Sequence, residues 1–237
     1  SIRSEYLRRF KNSVFNALVT EVDMTTVGTE TALDRFISKT RDLFGSEPDL
    51  EKRWANLAPA LRELLANPEV QEASKHWPEC VPADGRAENL IFYEDPEFGF
   101  AINGLKKLPS TRENPRPHPV HPSWKGIHDH AHIYTLYGVL IGHETIERYA
   151  RVDDGTKDGY AKIEDAGTFA VQPGDVDLVG PYEIHAERSL GEETIAIIVR
   201  SEKSGGFLQG RYTVDTGEYW QGYGPRQTPV AMFGDQA

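Results

Sequence analysis

Past Pro82 the chain breaks into short runs of β-branched and aromatic residues, each punctuated by Gly, Pro or Asp, and this punctuation most limits its fold. Leu90-Ile91-Phe92-Tyr93, Ile133 to Ile141, Thr168 to Val171 and Thr194 to Val199 are four such runs. Short strands at this regular spacing predict a closed antiparallel barrel or a sandwich. The stretch from Pro109 to Pro122 is Pro-rich and aperiodic, and is expected to form a long loop at the barrel mouth.

The first third follows a different rule. Tyr6, Phe10, Val14, Phe15 and Leu18 recur at intervals of three and four, and so do Leu33, Phe36, Ile37 and Leu43, ending at Gly45. A third helix is predicted from Leu50 to Leu65, with Trp54, Leu57, Leu61 and Leu65 on one side and Asn67-Pro68 as its stop. Each apolar stripe is read as core packing.

The composition closes off several classes of function. No apolar run is long enough to cross a bilayer, so no membrane partner is expected. A formal net charge of -11 repels phosphate backbones, and the Lys and Arg residues are scattered, so nucleic acid is not a partner. The first residues carry no secretory pattern, and Cys80, the only cysteine, can make no intrachain disulfide. A cytoplasmic location is therefore expected; the oligomeric state is left open.

The chemistry concentrates in Gly126-Ile127-His128-Asp129-His130-Ala131-His132. Residues two apart on a strand face one side, so His128 and His130 can place their imidazoles in one cavity as two metal ligands. Neutral imidazole suits iron, zinc, copper and nickel. A third ligand must come from elsewhere. His185 is the best placed, because the turn at Pro173-Gly174-Asp175 starts a strand region whose far end delivers it. His132 alternates inward as well and is expected beside the ligands, whereas Asp129 should face away. His76, His118, His121 and His143 read as loop or surface residues. Glu144, Glu147 and Arg148 read as a solvated charge group, Gly205 to Gly210 as a mobile turn, and Trp220 and Tyr223 as part of a segment folding back over the barrel.

Ile127-His128-Asp129-His130, followed after four residues by Thr135 and after six more by Gly142, resembles the first motif of the cupin superfamily, in particular its cysteine dioxygenase-like branch. Gly167, five residues, Pro173-Gly174 and then His185 resemble the second motif. The likeness runs from about Leu50 onward. It implies a mainly β fold: a cupin double-stranded β-helix barrel over residues 83–237, preceded by an N-terminal helical segment, 1–82. It also implies a non-haem Fe(II) site held by His128, His130 and His185, with O2 and a small molecule as co-substrates.

Two departures from the family pattern shape the functional reading. Tyr134 and Thr135 stand where most cupins carry a Glu ligand, which leaves a three-histidine site. The Ser-His-Tyr relay of enzymes that oxidise cysteine falls on Ile198, Arg200 and Glu202. The resemblance thus implies a dioxygenase that takes a small thiol or other sulfur compound, not cysteine itself, to a sulfinate. The alternatives are a C–C bond-cleaving dioxygenase of a small dicarbonyl or hydroxyketone, and a non-catalytic metal-dependent binding cupin. Tyr134 or Tyr137 is expected to offer a catalytic hydroxyl. Thr135 and His132 are expected to line the substrate site, and Arg200, aided by Arg86, to hold an anionic group.

Overall fold

A computed structural model of the chain describes residues 30–80, 87–107, 121 and 123–234. The stripe at Leu33 to Leu43 forms helix α1, Ala32–Ser46, and the next forms α2, Leu50–Leu65. Asp49 caps α2, its carboxylate accepting from the Lys52 amide at 3.0 Å. Asn67-Pro68 does more than stop α2. Asn67 caps a further helix, α3, Pro68–Ser74, in which Pro fits the first turn because no amide proton is needed there. The stripe from Tyr6 to Leu18 lies outside the described residues, as does Arg86.

Among the described residues eleven strands follow: β1 Glu88–Glu94, β2 Ala101–Lys107, β3 Thr135–Ile141, β4 Glu144–Arg151, β5 Ile163–Val171, β6 Val176–Val179, β7 Ile184–Ser189, β8 Thr194–Arg200, β9 Leu208–Tyr212, β10 Tyr219–Tyr223 and β11 Arg226–Pro229. One sheet has the order β11-β1-β2-β8-β3-β6. The other contains β5-β4-β7, and single bridges from His128 to His185 and to Arg211 join it to the β9-β10 hairpin.

With the His128 segment counted as a strand between β2 and β3, the barrel order is β2-β8-β3-β6 facing the His128 segment-β7-β4-β5. That interleaving of two antiparallel sheets is the double-sheet jelly roll, the double-stranded β-helix architecture expected from the sequence. The fold is mainly β with helices ahead of it.

β8, at the centre of the first sheet, is buried on both faces, which explains why it reads as a continuous apolar run. Ile195, Ile197 and Val199 share a core with Trp54, Leu57, Leu61 and Leu65 of α2. Ala196 and Ile198 point the other way and meet Tyr137, Val139, Ile146 and Val171 inside the barrel. The helix lies close to the sheet at Gly138, where a Cβ would stand 2.8 Å from Leu65 Cδ1 and 3.1 Å from Leu61 Cδ2. No helix among the described residues is long and apolar enough to cross a membrane.

Leu61 is fully buried in the helix–sheet core. Leu61→Ala is expected to lower the unfolding free energy by about 2–5 kcal/mol. A denaturant titration giving a loss near zero would show that α2 does not anchor the sheet.

Candidate metal centre

His128 enters the second sheet through one residue pair. Its amide donates to the His185 carbonyl at 2.9 Å, and the His185 amide donates back to the His128 carbonyl at 2.9 Å. Such a pair sets both side chains on one face, here the inside of the barrel. Asp129 faces away, as expected, but its role is larger than a local bond. Its buried carboxylate accepts from the amides of Ala131 at 2.7 Å and Gly210 at 3.0 Å, and from the Tyr212 hydroxyl at 2.6 Å. Two of these three donors, Gly210 and Tyr212, tie the ligand-bearing segment to β9. Gly210 is therefore no mobile turn: a Cβ there would stand 2.2 Å from Asp129 Oδ2.

The three rings converge. One ligand nitrogen from each of His128, His130 and His185 lies within 4.8 Å of the others, and the Nε2 atoms of His128 and His130 are 3.2 Å apart. His128 Nδ1 donates to the Gly126 carbonyl at 2.8 Å and His185 Nδ1 to the Glu183 carbonyl at 3.0 Å. A carbonyl only accepts, so these bonds place the ring protons on Nδ1 and leave Nε2 bare in the neutral rings.

His185 Nε2 is buried with no hydrogen-bond partner, and so is His130 Nδ1. The converging ring nitrogens, with the bare Nε2 lone pairs of His128 and His185 among them, call for a cation. Metal–nitrogen bonds of about 2.0–2.1 Å at near right angles separate two ligands by about 3 Å, matching the His128–His130 spacing. The group fits a single metal ion.

The electrostatics favour neutral rings at His128 and His130. Burial, with the His185 charge adding to it, pushes His128 down to about 3, and the same causes hold His130 well below its ordinary value. His185 behaves differently. Burial pulls it down, but the carboxylate of Glu187 outweighs that and holds it above its usual value. Glu187 Oε1 stands 3.3 Å from His185 Nε2, two residues along β7 on the same face. Sequence reasoning missed Glu187, although the alternation that paired His128 with His130 would have found it beside His185.

The other expected site residues divide between the interior and the outside. Thr135 on β3 is fully buried, faces the barrel interior opposite Arg200 in register, and its hydroxyl has no partner. Arg200 is 4% exposed, so it is no surface ion pair. Tyr137 also points inward, but its hydroxyl donates to Glu144 Oε2 at 2.7 Å. Glu144 is itself buried, held by Lys107 Nζ at 2.6 Å and the Thr194 hydroxyl at 2.7 Å.

Tyr134 precedes β3 and stacks on Trp54 in the helix-facing core, at 6.0 Å between ring centroids. His132 is turned outward. The backbone at Ala131 adopts φ 55°, which ends the alternation, and His132 Nε2 meets Glu202 at the surface at 2.9 Å. Beside it, the Tyr182 amide, itself at φ 58°, donates to the Ala131 carbonyl at 2.6 Å, so the two ligand-bearing segments are also tied at the mouth. The expected solvated group is not one: Glu147 is buried with Tyr149 and Arg188, and Arg148 pairs with Asp177 and Glu183.

No protein-family model matches the chain, and no curated protein matches its sequence. Solved structures resemble it only distantly. An oxalate oxidase in complex with glycolate is 14% identical, with a TM-score of 0.36, over 54% of this chain and 56% of its own. The cupin domain of Schizosaccharomyces pombe Cnp3 is 11% identical, with a TM-score of 0.32, over 48% and 64%. A protein of Neisseria meningitidis is 13% identical, with a TM-score of 0.34, over 55% and 94%. Less than two thirds of the oxalate oxidase and Cnp3 chains is matched. The fold assignment rests on the strand order described above.

Asp129 supports the ligands without touching them, and losing such a support typically weakens a metal site by about 10–100-fold. Asp129→Ala is expected to weaken divalent-metal affinity by that factor, measured by competition with a chelator, and Gly210→Ala to act in the same direction by crowding the carboxylate. Wild-type affinity in both variants would refute the support role.

Proposed function

We propose that the chain is a non-haem iron(II) dioxygenase that takes a small thiol or other sulfur compound to a sulfinate with O2. The observation that carries this reading is the convergence of three imidazoles inside the barrel, His130 and His185 buried and His128 half-buried, with His128 and His185 fixed by backbone carbonyls so that Nε2 is turned to a common point. Three neutral ligands leave a divalent ion its full charge and leave positions open for an anionic donor and a second reactant. Iron(II) bound there would supply the site at which sulfur and O2 meet and the electrons that activate O2.

The protein's own part is positioning and exclusion of water. Ala196, Ile198, Val139 and Ile146 line the interior with apolar surface, so the metal-facing nitrogens work in a poorly hydrated space. The resemblance to the cysteine dioxygenase-like branch supports the choice of sulfur chemistry. The relay positions of that branch support a substrate other than cysteine: Ile198 is an apolar wall residue, and Glu202 pairs with His132 at the surface. Neither can pass a proton to the centre.

The deciding experiment is O2 uptake by iron-reconstituted protein offered small thiols and, separately, small diketones. A thiol that consumes O2 and yields a sulfinate by mass spectrometry supports the proposal. Uptake with diketones alone assigns C–C bond cleavage instead, and no uptake with either leaves a binding protein. His185→Ala is expected to lose most bound iron while keeping its far-ultraviolet circular dichroism; full iron occupancy would overturn the ligand set. Tyr134→Phe is expected to leave turnover unchanged, because that ring packs on Trp54; a large loss of turnover at normal iron content would return its hydroxyl to the chemistry.

A further inference from the structure

Arg188 is a buried guanidinium of a different kind from Arg200. Arg200 has both terminal nitrogens taken, by Asn103 Oδ1 at 2.7 Å and Asn89 Oδ1 at 3.0 Å. Arg188 turns Nε and Nη2 to a single oxygen, Glu147 Oε2, at 3.3 and 3.2 Å, and its Nη1 makes no hydrogen bond among the described residues. The residue is only 5% exposed, so an idle donor there is unusual.

Its place follows from the strand. His185 and Glu187 of β7 point into the barrel, so Ala186 and Arg188 point out of it, beside Glu147 and Tyr149 of β4. Ile127 and Tyr212 pack over this outer face against Ile184 and Ala186. A cavity of about 40 Å³ remains beneath them. Ile127, Tyr149, Tyr212 and Val214 give it walls of carbon, Arg188 and Thr213 are its polar groups, and Lys125 and Asp215 form an exposed ion pair at its rim, 3.3 Å apart. Arg188 Nη1 lies at this cavity: a Cβ on Gly126, between the lining residues Lys125 and Ile127, would stand 3.1 Å from it.

Thr213 adds a second idle group, since it is buried and its hydroxyl has no partner. The hydroxyls of Tyr149 and Tyr212 are spent, on Glu147 at 2.7 Å and Asp129 at 2.6 Å, so these two residues offer the cavity only their rings. The space exceeds the roughly 10–15 Å³ that one water needs.

We infer that this cavity binds a short-chain monocarboxylate, one oxygen accepting from Arg188 Nη1 and the other from Thr213 Oγ1, with the alkyl end against the carbon walls. Both idle polar groups can donate, which calls for acceptors. Glu147 already offsets the Arg188 charge, which favours one negative charge over two. The apolar walls favour an alkyl body over a bare inorganic ion, and the volume limits that body to a few carbons. The site lies on the opposite face of the second sheet from the three histidines. Occupancy needs no metal, so it stands or falls separately from the dioxygenase reading.

The test is a titration of metal-free, isotope-labelled protein with acetate, propionate and butyrate, with their amides, and with inorganic phosphate, following backbone amide shifts. At least one acid is expected to give saturable shifts centred on residues 125–127 and 213–215, and to bind about tenfold or more tighter than its amide, the gain typical of a charged hydrogen bond. Arg188→Lys keeps a cation against Glu147 but removes Nη1, and is expected to bring the acid-to-amide ratio toward one. Thr213→Val leaves the ion pair intact and is expected to lower the ratio severalfold; it decides the matter if Arg188→Lys fails to fold.

No saturable shift with any acid shows that the cavity holds only water and overturns the proposal, as does an unchanged ratio in Thr213→Val. Shifts centred instead on His128, His130 and Glu187 place the acid in the lumen and overturn the outer site. Phosphate binding as tight as the best acid overturns the carboxylate assignment.

Discussion

His128 and His185 exchange backbone hydrogen bonds in both directions, and the arrangement of the barrel interior follows from that pair. It brings together residues 57 positions apart, one on a segment too short to be a regular strand and the other on β7. By itself a single pair is weak. Asp129 reinforces it with two donors from β9, the Gly210 amide and the Tyr212 hydroxyl, beside the local Ala131 amide, so the position of the claw is set by β9 as much as by its own sequence. A buried carboxylate with all its bonds made is rigid, and that rigidity passes to the two histidines that flank it.

Charge inside the barrel is sorted along its length. Toward one end Glu144 is neutralised by Lys107 and capped by two hydroxyls; this is a closed polar plug with nothing left to offer. Nearer the histidines the groups are incompletely matched: Glu187 leans on His185, Thr135 has an idle hydroxyl, and Arg200 is bonded only to amides. Structural polar groups are normally satisfied. Unmatched groups near the histidines set this part of the lumen apart from the plug.

Much of this was readable in the chain, and the failures have identifiable causes. The stripe from Leu50 to Leu65 gave a helix with those bounds, because a one-faced apolar pattern between an Asp cap and Asn67-Pro68 admits little else. Alternation placed His128, His130, Thr135 and Arg200 correctly. It failed at His132 because Ala131 takes a left-handed conformation that no composition rule demands of an alanine. It misled at Tyr134, which lies before β3 begins and packs against Trp54. Tyr137 was placed on the right face, yet the partner that consumes its hydroxyl, Glu144, sits across a turn whose geometry the sequence does not encode locally. The glycine at 210 looked like flexibility because the carboxylate it accommodates is 81 residues away in the chain.

The two-sided burial of β8 ties folding and function to a single variable. Its residues alternate strictly between the helix-facing core and the barrel interior, so sliding the strand by one position would exchange the two sets. Ile197 would then enter the lumen, and the Arg200 guanidinium would be driven against Trp54 and its neighbours without asparagine partners. The misaligned chain would bury a bare charge in hydrocarbon, which is among the most unfavourable arrangements a protein can adopt. The arginine thus acts as a check on strand alignment: a barrel closed in the wrong register excludes itself energetically before any ligand is present.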